Sequence, residues 1–340
     1  MCCGIFYRGR TVHRPADPGG LSACPKPDMI VAVGGVGGWP EQQMGMKVLV
    51  TGAAGRLGRY CVADLIAGGF EVVAIDRRKN DSDNPAVNLV DLLDTAAVAD
   101  IMKGIEAVVH LGNHPGALAY SKDRICQENV TMNMNVFLAA LNHGAKKIIF
   151  ASSIQVIASE TFEFTPASPP PYVAYLPLDS DSPPQPRNAY ALSKWIGETM
   201  LRDYFVPAGL DAVALRFPTL VDPTRLERVW RHNLDILVQK RASHARISQG
   251  FGALMYEDAA RLMTRLLSAP TPGYRVYLPA VCVPPIKEIS EIIDTYYHGV
   301  PLRRPPAQMG SLIDISRIEK EIGWRPLHLM EQPPRDAAHA

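Results

Sequence analysis

The chain has 340 residues, 47% of them hydrophobic and 20% charged, with a formal net charge of +1 at pH 7. This charge gives no reason to expect nucleic acid or an anionic membrane as a partner. No apolar run is long enough to span a bilayer. The six cysteines form no CxxC pair, which is typical of a protein in the reducing cytoplasm. The same pattern argues against a disulfide scaffold or a metal site. These features predict a globular cytoplasmic protein without a bound metal.

The first 45 residues differ in composition from the rest of the chain. They are rich in glycine and proline and lack helical or strand periodicity outside residues 29–33. A segment of this composition has too little apolar surface to form a packed core. Residues 1–45 are therefore predicted to be a disordered N-terminal extension.

A glycine-rich turn follows the first predicted strand. Residues 47–50 read as a buried strand and run directly into Gly52, Gly55 and Gly58, and a helical pattern covers residues 60–67. Glycines at this spacing allow backbone N–H groups to approach a pyrophosphate, and the N-terminus of the following helix adds partial positive charge. The pattern alone is weak, because glycine-rich turns are common.

An acidic residue ends the second predicted strand, which covers residues 71–76. Asp76 lies 18 residues after Gly58, where a carboxylate can accept hydrogen bonds from the ribose of a dinucleotide and repel a 2′-phosphate. This favours NAD. Arg77 and Arg78 follow directly and suit a phosphate, so NADP stays open.

Strands and helices alternate through the next hundred residues. Further strands are predicted over 86–90, 107–113 and 146–153, with a helix over 129–142. The alternation predicts an α/β fold with a Rossmann-like, doubly wound parallel sheet. Its ligand should lie at the C-terminal strand ends, and His110 is predicted to be a packed core histidine. These strand ends carry Gly52, Asp76, Asp91, Gly112 and Ser153.

Tyr190 and Lys194 are the candidate catalytic residues, together with Ser153. Tyr190 and Lys194 are four residues apart on a predicted helix and share one face. A phenol has a pKa near 10, and a neighbouring ammonium favours its ionised form. Ser153 could hold a substrate hydroxyl beside Tyr190 while the substrate carbon gives hydride to a nicotinamide. The pattern therefore predicts a hydride-transfer site.

These motifs together resemble the extended short-chain dehydrogenase/reductases, also called the NAD-dependent epimerase/dehydratase family. The resemblance runs from about residue 46 to residue 326 and includes Tyr256-Glu257-Asp258-Ala259-Ala260 and the segment from Asp314 to Pro326. It implies a nicotinamide dinucleotide cofactor and a sugar or nucleotide-sugar substrate. The implied cofactor-binding residues are Gly52, Gly55, Arg56, Leu57, Gly58, Asp76, Arg77, Asp91, Leu92, Leu111, Gly112, Asn129, Ser152, Tyr190, Lys194 and Phe217.

Departures from the family pattern narrow the reaction. Ile154 and Gln155 replace the Asp-Glu pair of 4,6-dehydratases, so water elimination is disfavoured. Thr219 stands where many nucleotide-sugar epimerases have asparagine, which is similar to the uronate dehydrogenases of the family. Those enzymes bind a sugar carboxylate with an arginine shortly downstream. The implied substrate-binding residues are Asn113, His114, Ser153, Gln155, Thr219, Arg225 and Arg228, although a solvated helix charge is the more common role for either arginine.

The predicted organisation is an NAD-binding domain over 46–216, a mainly substrate-binding lobe over 217–330 and a flexible tail over 331–340. In the lobe, helices are predicted over 227–237, 258–267 and 286–297, and a strand over 275–278. The proline-rich segment 161–187 is predicted either to cover the substrate mouth or to make a surface excursion.

The predicted function is that of an NAD(P)-dependent oxidoreductase or epimerase acting on a sugar or nucleotide-sugar carbinol. An alternative is a uronate-type dehydrogenase of a free sugar acid. Another class is a non-catalytic NAD-binding sensor, which would not need Ser153, Tyr190 and Lys194. The resemblance also implies a homodimer formed by the helices over 129–142 and 190–204, unless their apolar faces are buried within the monomer.

Overall fold

The computed structural model describes residues 45–79, 86–115, 121–159, 173–239, 244–282 and 288–328. The predictions for residues 1–44, 160–172 and 331–340 lie outside the described residues. In the described ranges, every helix is too short or too polar to cross a bilayer. The strands are β1 (Lys47–Thr51), β2 (Glu71–Asp76), β3 (Asn88–Leu89), β4 (Ala107–His110), β5 (Lys147–Ser153), β6 (Asp211–Phe217), β7 (Thr219–Val221), β8 (Gly252–Met255), β9 (Tyr274–Tyr277) and β10 (Val281–Cys282). The helices are α1 (Arg56–Ala67), α2 (Thr95–Ile101), α3 (Lys122–Asn142), α4 (Ala189–Met200), α5 (Pro223–Gln239), α6 (His244–Ser248), α7 (Tyr256–Ser268), α8 (Ile289–Tyr296) and α9 (Ser316–Ile322).

Seven strands form one parallel sheet in the order β3-β2-β1-β4-β5-β6-β9. The order reverses between β1 and β4, and an open parallel sheet binds its ligand in the crevice at such a point. The predicted α/β fold with a Rossmann-like doubly wound sheet is thus confirmed. The C-terminal ends of β1, β2, β4, β5 and β6 meet at one edge.

Helices cover both faces of this sheet because its strands are apolar on both sides. Val48 and Val50 of β1 pack on the face that holds α1, α7 and α9. Leu49, between them, packs on the opposite face with residues of α2 and α3. The alternation along one strand fixes two separate cores and holds the strand ends rigidly between them.

The C-terminal half contributes to both parts of the molecule. A small sheet in the order β10-β8-β7 was not predicted from the sequence. β9 pairs with β6 in the large sheet, and α7 packs there too. The boundary at residues 216–217 stays a prediction, since the chain crosses between the large sheet and the lobe more than once.

The described half of the proline-rich segment belongs to the core of the lobe. Leu176 and Leu178 are 0% and 1% exposed and pack in one cluster with Met309 and Leu312. Around Leu176 and Leu178 the segment therefore packs inside the protein, whereas Asp181 and Pro183 are exposed. The spacing of prolines does not reveal these contacts, because their partners lie more than 100 positions downstream.

Helix α3 begins seven residues before its predicted start at residue 129. Its first two turns are polar, and Ile125 is the one buried residue before Asn129 in the described helix. Such a polar start lacks the apolar repeat on which the prediction was based. The earlier start adds Arg124 and Glu128 to the edge where the strand ends meet.

Candidate active site

The glycine turn after β1 leaves no room for side chains. Gly52 has φ +69°, and a Cβ on it would lie 2.9 Å from the backbone N of Gly112. A Cβ on Gly58 would lie 2.2 Å from the carbonyl oxygen of Gly52. No described side chain caps α1 at its N-cap residue Gly55. This open cradle at a helix N-terminus fits a pyrophosphate.

Asp76 is held beside the glycine turn. Its Oδ2 accepts a hydrogen bond from the backbone N–H of Ala54 at 3.1 Å, and its Oδ1 accepts one from the backbone N–H of Arg78 at 3.1 Å. Both bonds fix the carboxylate at the end of β2. The Arg77 side chain next to it is exposed. The arrangement fits a cofactor whose ribose carries free hydroxyls.

The loop after β3 carries two predicted cofactor contacts, Asp91 and Leu92. Asp91 is exposed, and its Oδ1 accepts a hydrogen bond from the backbone N–H of Leu93 at 3.0 Å. Leu92 is 8% exposed, and its Cδ1 would lie 2.6 Å from a Cβ on Gly112. Leu92 therefore packs against the backbone of Gly112, and its contact with a cofactor stays a prediction.

Lys194 is buried at the centre of the site. Its Nζ donates to Asn113 Oδ1 at 2.7 Å and to the carbonyl oxygen of Ala151 at 2.8 Å. The same atom lies 5.7 Å from the centre of the Tyr190 ring. Burial lowers the pKa of Lys194 to about 7. An ammonium so close to a phenol favours the ionised form of that phenol.

Ser153 and Tyr190 are oriented by the elements that carry them. Ser153 ends β5, and its Oγ accepts a hydrogen bond from the backbone N–H of Gln155 at 3.2 Å. Asn188 caps α4 by accepting from Ala191 N–H at 2.7 Å, and its Nδ2 donates to Gln155 Oε1 at 3.0 Å. The loop after β5 and the first turn of α4 are thereby joined around the catalytic groups.

Asn129, which is predicted to contact the cofactor, is buried and hydrogen bonded within the protein. It is 0% exposed, its Oδ1 accepts from His114 N–H at 2.7 Å, and its Nδ2 donates to Ser193 Oγ at 3.0 Å. The amide thus holds the loop after β4 against α4, behind the cleft. Residue spacing cannot distinguish such a brace from a cofactor contact, because both need a polar residue on the same helix face.

His114 lines the cleft and forms a hydrogen-bonded cluster with Glu128 and Arg124 of α3. Its Nε2 is hydrogen bonded to Glu128, which also accepts from Arg124 Nε at 2.7 Å. Burial would raise the pKa of Glu128, but the hydrogen bonds from His114 and Arg124 lower it. His114 therefore stands beside a carboxylate that stays negatively charged.

The substrate end contains one of the two predicted arginines. Arg225 lines the cleft, and its Nη1 donates to the Tyr256 hydroxyl at 3.5 Å. Arg228 is exposed on α5 and is not among the described residues that line the cleft. Thr219 lines the cleft as predicted, and its Oγ1 accepts from Arg246 Nη1 at 2.9 Å.

The cleft has a volume of about 330 Å³. The predicted site residues that it brings together are Leu57, Leu111, Asn113, His114, Ser152, Ser153, Gln155, Tyr190, Lys194, Phe217, Thr219 and Arg225. The predicted residues Gly52, Gly55, Arg56, Gly58, Asp76, Arg77, Asp91, Leu92 and Gly112 belong to the glycine turn and the neighbouring strand ends, next to the cleft. Sequence reasoning missed Gln249, which lines the cleft, and Arg246, which holds Thr219; neither lies in a motif.

Comparison with known proteins gives a consistent picture. The model of the NAD dependent epimerase/dehydratase family matches residues 48–274. An NAD-dependent glucose-6-phosphate dehydrogenase of Haloferax volcanii is 32% identical over 54% of this chain and 74% of its own. A uronate dehydrogenase of Pseudomonas syringae pv. tomato is 27% identical over 68% of this chain and 72% of its own.

A solved structure shares the fold. A short-chain dehydrogenase/reductase superfamily protein from Agrobacterium tumefaciens, with bound NAD, superposes with a TM-score of 0.59. It is 23% identical and covers 84% of this chain and 93% of its own. At this identity the likeness concerns the fold alone.

Proposed function

Because this chain belongs to the NAD dependent epimerase/dehydratase family, we propose that its cleft oxidises a sugar carbinol by hydride transfer. The observation that carries the proposal is the meeting of Ser153, Tyr190 and Lys194 at the C-terminal edge of the large sheet. The cofactor is NAD, in keeping with the glycine turn and Asp76. A non-catalytic sensor would have no use for a buried lysine beside a phenol.

Each catalytic residue has a separate task. Ser153 binds the substrate hydroxyl and holds it towards Tyr190. Tyr190 takes the hydroxyl proton as general base. Lys194 holds positive charge 5.7 Å from the Tyr190 ring centre and so favours the phenolate. NAD, when bound, supplies the carbon that accepts the hydride.

We propose more narrowly that the substrate is an anionic monosaccharide and that the reaction is a net dehydrogenation. Arg225 lines the cleft, and a guanidinium grips a carboxylate or a phosphate bidentately. The names of two relatives agree with this chemistry, since uronates carry a carboxylate and glucose 6-phosphate carries a phosphate. The absence of a catalytic Asp-Glu pair at Ile154 and Gln155 disfavours dehydration.

NADH absorbance with a panel of sugars tests this function. The panel contains uronic acids, sugar 6-phosphates, neutral sugars and nucleotide sugars. We expect steady NADH formation with a sugar acid or a sugar phosphate. Interconversion of a nucleotide sugar without net NADH would instead identify an epimerase, and would overturn the dehydrogenase assignment.

Arg225→Met tests the source of the charge preference. Loss of charge-assisted hydrogen bonds worth about 1.5–3 kcal/mol should raise KM for the anionic sugar by about 10- to 100-fold. Arg228→Met, on the same helix but exposed, is the matched control and should leave KM within about twofold. Equal effects of the two variants would contradict a specific role for Arg225.

Asp76→Ala should weaken the preference for NAD over NADP. The variant removes a negative charge and frees the backbone N–H of Ala54, which the carboxylate now occupies at 3.1 Å. We expect the ratio of kcat/KM values for NAD and NADP to fall by about 10- to 100-fold. Asp91→Ala is the control, because it lies towards the adenine, which both cofactors share. An unchanged ratio in Asp76→Ala would show that Asp76 does not contact the ribose.

The proposal extends to a homodimer through α3 and α4. Met134 and Leu138 lie four residues apart on α3 and are 41% and 36% exposed. Apolar residues on one exposed helix face are typical of an interface. Light scattering that measures a single chain mass of 37.2 kDa at micromolar concentration would contradict the dimer.

A further inference from the structure

The ammonium of Lys194 is held by a side-chain amide. Asn113 lies immediately after the Leu111-Gly112 pair that follows β4, and its Oδ1 accepts from Lys194 Nζ at 2.7 Å. Lys194 is 3% exposed, so its Nζ depends mainly on oxygens of the protein for its hydrogen bonds. The orientation of the Asn113 amide therefore decides whether an oxygen or an NH₂ group faces the lysine.

A second asparagine fixes that orientation. Asn113 Nδ2 donates to Asn133 Oδ1 at 3.0 Å and to the carbonyl oxygen of Gly112 at 2.8 Å. Asn133 is 0% exposed, and its own Nδ2 has no partner among the described atoms. An unmade buried hydrogen bond costs about 1–3 kcal/mol. A further hydrogen-bond donor must therefore keep the oxygen of the Asn133 amide turned towards Asn113.

His110 supplies that constraint. The Thr51 hydroxyl oxygen accepts hydrogen bonds from the backbone N–H groups of Leu111 at 3.1 Å and Gly112 at 2.9 Å. The hydroxyl therefore donates its own proton to His110 Nδ1, at 2.7 Å. The proton of the neutral ring must then sit on Nε2, which donates to Asn133 Oδ1 at 3.0 Å. If the Asn133 amide were flipped, its NH₂ group would face two other donors, His110 Nε2 and Asn113 Nδ2.

The ring remains neutral over the working pH range. Burial, and after it the positive charge of Lys194, together lower the pKa of His110 to about 3, although the hydrogen bond to Asn133 acts in the opposite direction. His110 is 1% exposed. Its tautomer is therefore fixed by Thr51, and the direction of every following hydrogen bond is fixed by the tautomer.

We propose that Asn113 is a positioning residue for Lys194, oriented through a hydrogen-bonded chain of Thr51, His110 and Asn133. This hydrogen-bonded chain begins at Thr51, the residue before Gly52 in the predicted pyrophosphate cradle, and ends at the ammonium of Lys194. It presents an oxygen to Lys194 and holds the Nζ atom beside Tyr190. The inference rests on the proposed catalytic role of Lys194.

Other titratable groups near Lys194 are accounted for. Tyr190 lies on the same helix, and His110 lies on β4. The His114–Glu128 pair stands at the loop after β4 and on α3. Glu198, one turn further along α4, is ion-paired with Arg216 of β6 at 2.8 Å. None of these described carboxylates contacts Lys194 Nζ, so the chemistry of residue 113 should dominate changes in its ionisation.

Titration of Lys194 in the cofactor-free protein tests the proposal. The protein is labelled with ¹³C at lysine Cε, and the signal is assigned by its loss in Lys194→Met. In Asn113→Asp a carboxylate replaces the amide oxygen, and the pKa of Lys194 should rise by about 1–2 units. In Asn113→Leu the acceptor is lost, and the pKa should fall. Asn142→Asp, an exposed change at the end of α3, is the charge control and should leave it unchanged.

The far end of the chain is tested by Thr51→Val and Thr51→Ser. Without the hydroxyl, the His110 tautomer is released and both amides can turn, so the pKa of Lys194 should fall as in Asn113→Leu. Serine keeps the hydroxyl and should restore the wild-type value. Shifts of the same sign in Asn113→Asp and Asn113→Leu, or no shift in either, would overturn the role of Asn113. Because the titration needs neither NAD nor substrate, its failure is distinguishable from failure of the proposed activity.

Discussion

Tyr190→Phe should bind NAD with near wild-type affinity and lose about 10²- to 10⁴-fold in kcat. The phenol is the group that receives the substrate proton, and removal of a positioned general base costs about 10²–10⁴-fold. The phenyl ring keeps its place in the cleft and its distance from Lys194. Cofactor affinity should survive, because the glycine turn and Asp76 lie at other strand ends. Tryptophan fluorescence measures binding, and NADH absorbance measures turnover.

Tyr204→Phe is the matched control for this variant. Tyr204 is 62% exposed in the helical turn that follows α4, so loss of its hydroxyl should leave kcat unchanged. Turnover in Tyr190→Phe within tenfold of the wild type would sink the mechanism. A parallel loss of NAD binding would instead indicate a damaged fold, which the melting temperature of the same sample would reveal.

The parts of the site that sequence reasoning predicted are those encoded in local spacing. Gly52, Gly55 and Gly58 are close in sequence, and their turn is dictated by backbone geometry within a few residues. Tyr190 and Lys194 are related by one helical turn. The location of Asp76 and Ser153 on one edge of the sheet follows from the rule that parallel strands present their C-terminal ends on the same side.

The parts that were missed depend on contacts between distant residues. The hydrogen bond from Lys194 to Asn113 joins residues 81 positions apart, and that between Thr51 and His110 joins residues 59 positions apart. No periodicity indicates which rotamer an asparagine adopts after a strand. Arg225 and Arg228 are three residues apart on α5, so only the angle at which that helix meets the cleft decides which one faces it.

The buried ion pair between Glu198 and Arg216 was likewise not predicted from the sequence. Its loss is the second change for which we expect a large effect. Arg216 Nη2 lies 2.8 Å from Glu198 Oε2, and the two side chains are 4% and 1% exposed. Arg216 Nη1 also donates to the carbonyl oxygen of Ser182 at 2.9 Å. Ser152 Oγ donates to Glu198 Oε1 at 2.5 Å. One carboxylate thus ties α4 to β5 and β6, and the arginine extends the network to the proline-rich segment.

Glu198→Gln should destabilise the fold by about 3–5 kcal/mol. The change keeps the volume of the side chain but leaves the Arg216 guanidinium buried without a negative partner, which is costly in a low-dielectric interior. The free energy of unfolding, measured by urea titration, should fall accordingly, and the melting temperature should drop by on the order of 10 °C. The double variant Glu198→Leu with Arg216→Leu buries no charge and should lose less than Glu198→Gln alone.

Glu227→Gln provides the control for this prediction. Glu227 pairs with Arg231 at 2.8 Å on α5, with side chains 57% and 51% exposed, and such surface pairs contribute about 0–1 kcal/mol. A small effect of Glu198→Gln, equal to that of Glu227→Gln, would mean that the carbonyls of the proline-rich segment suffice to hold the Arg216 charge. A larger loss of stability in Glu198→Gln than in Glu227→Gln would instead show that Glu198 holds Ser152 in place. Glu198 would then also position the neighbouring Ser153, which lines the cleft at the end of β5.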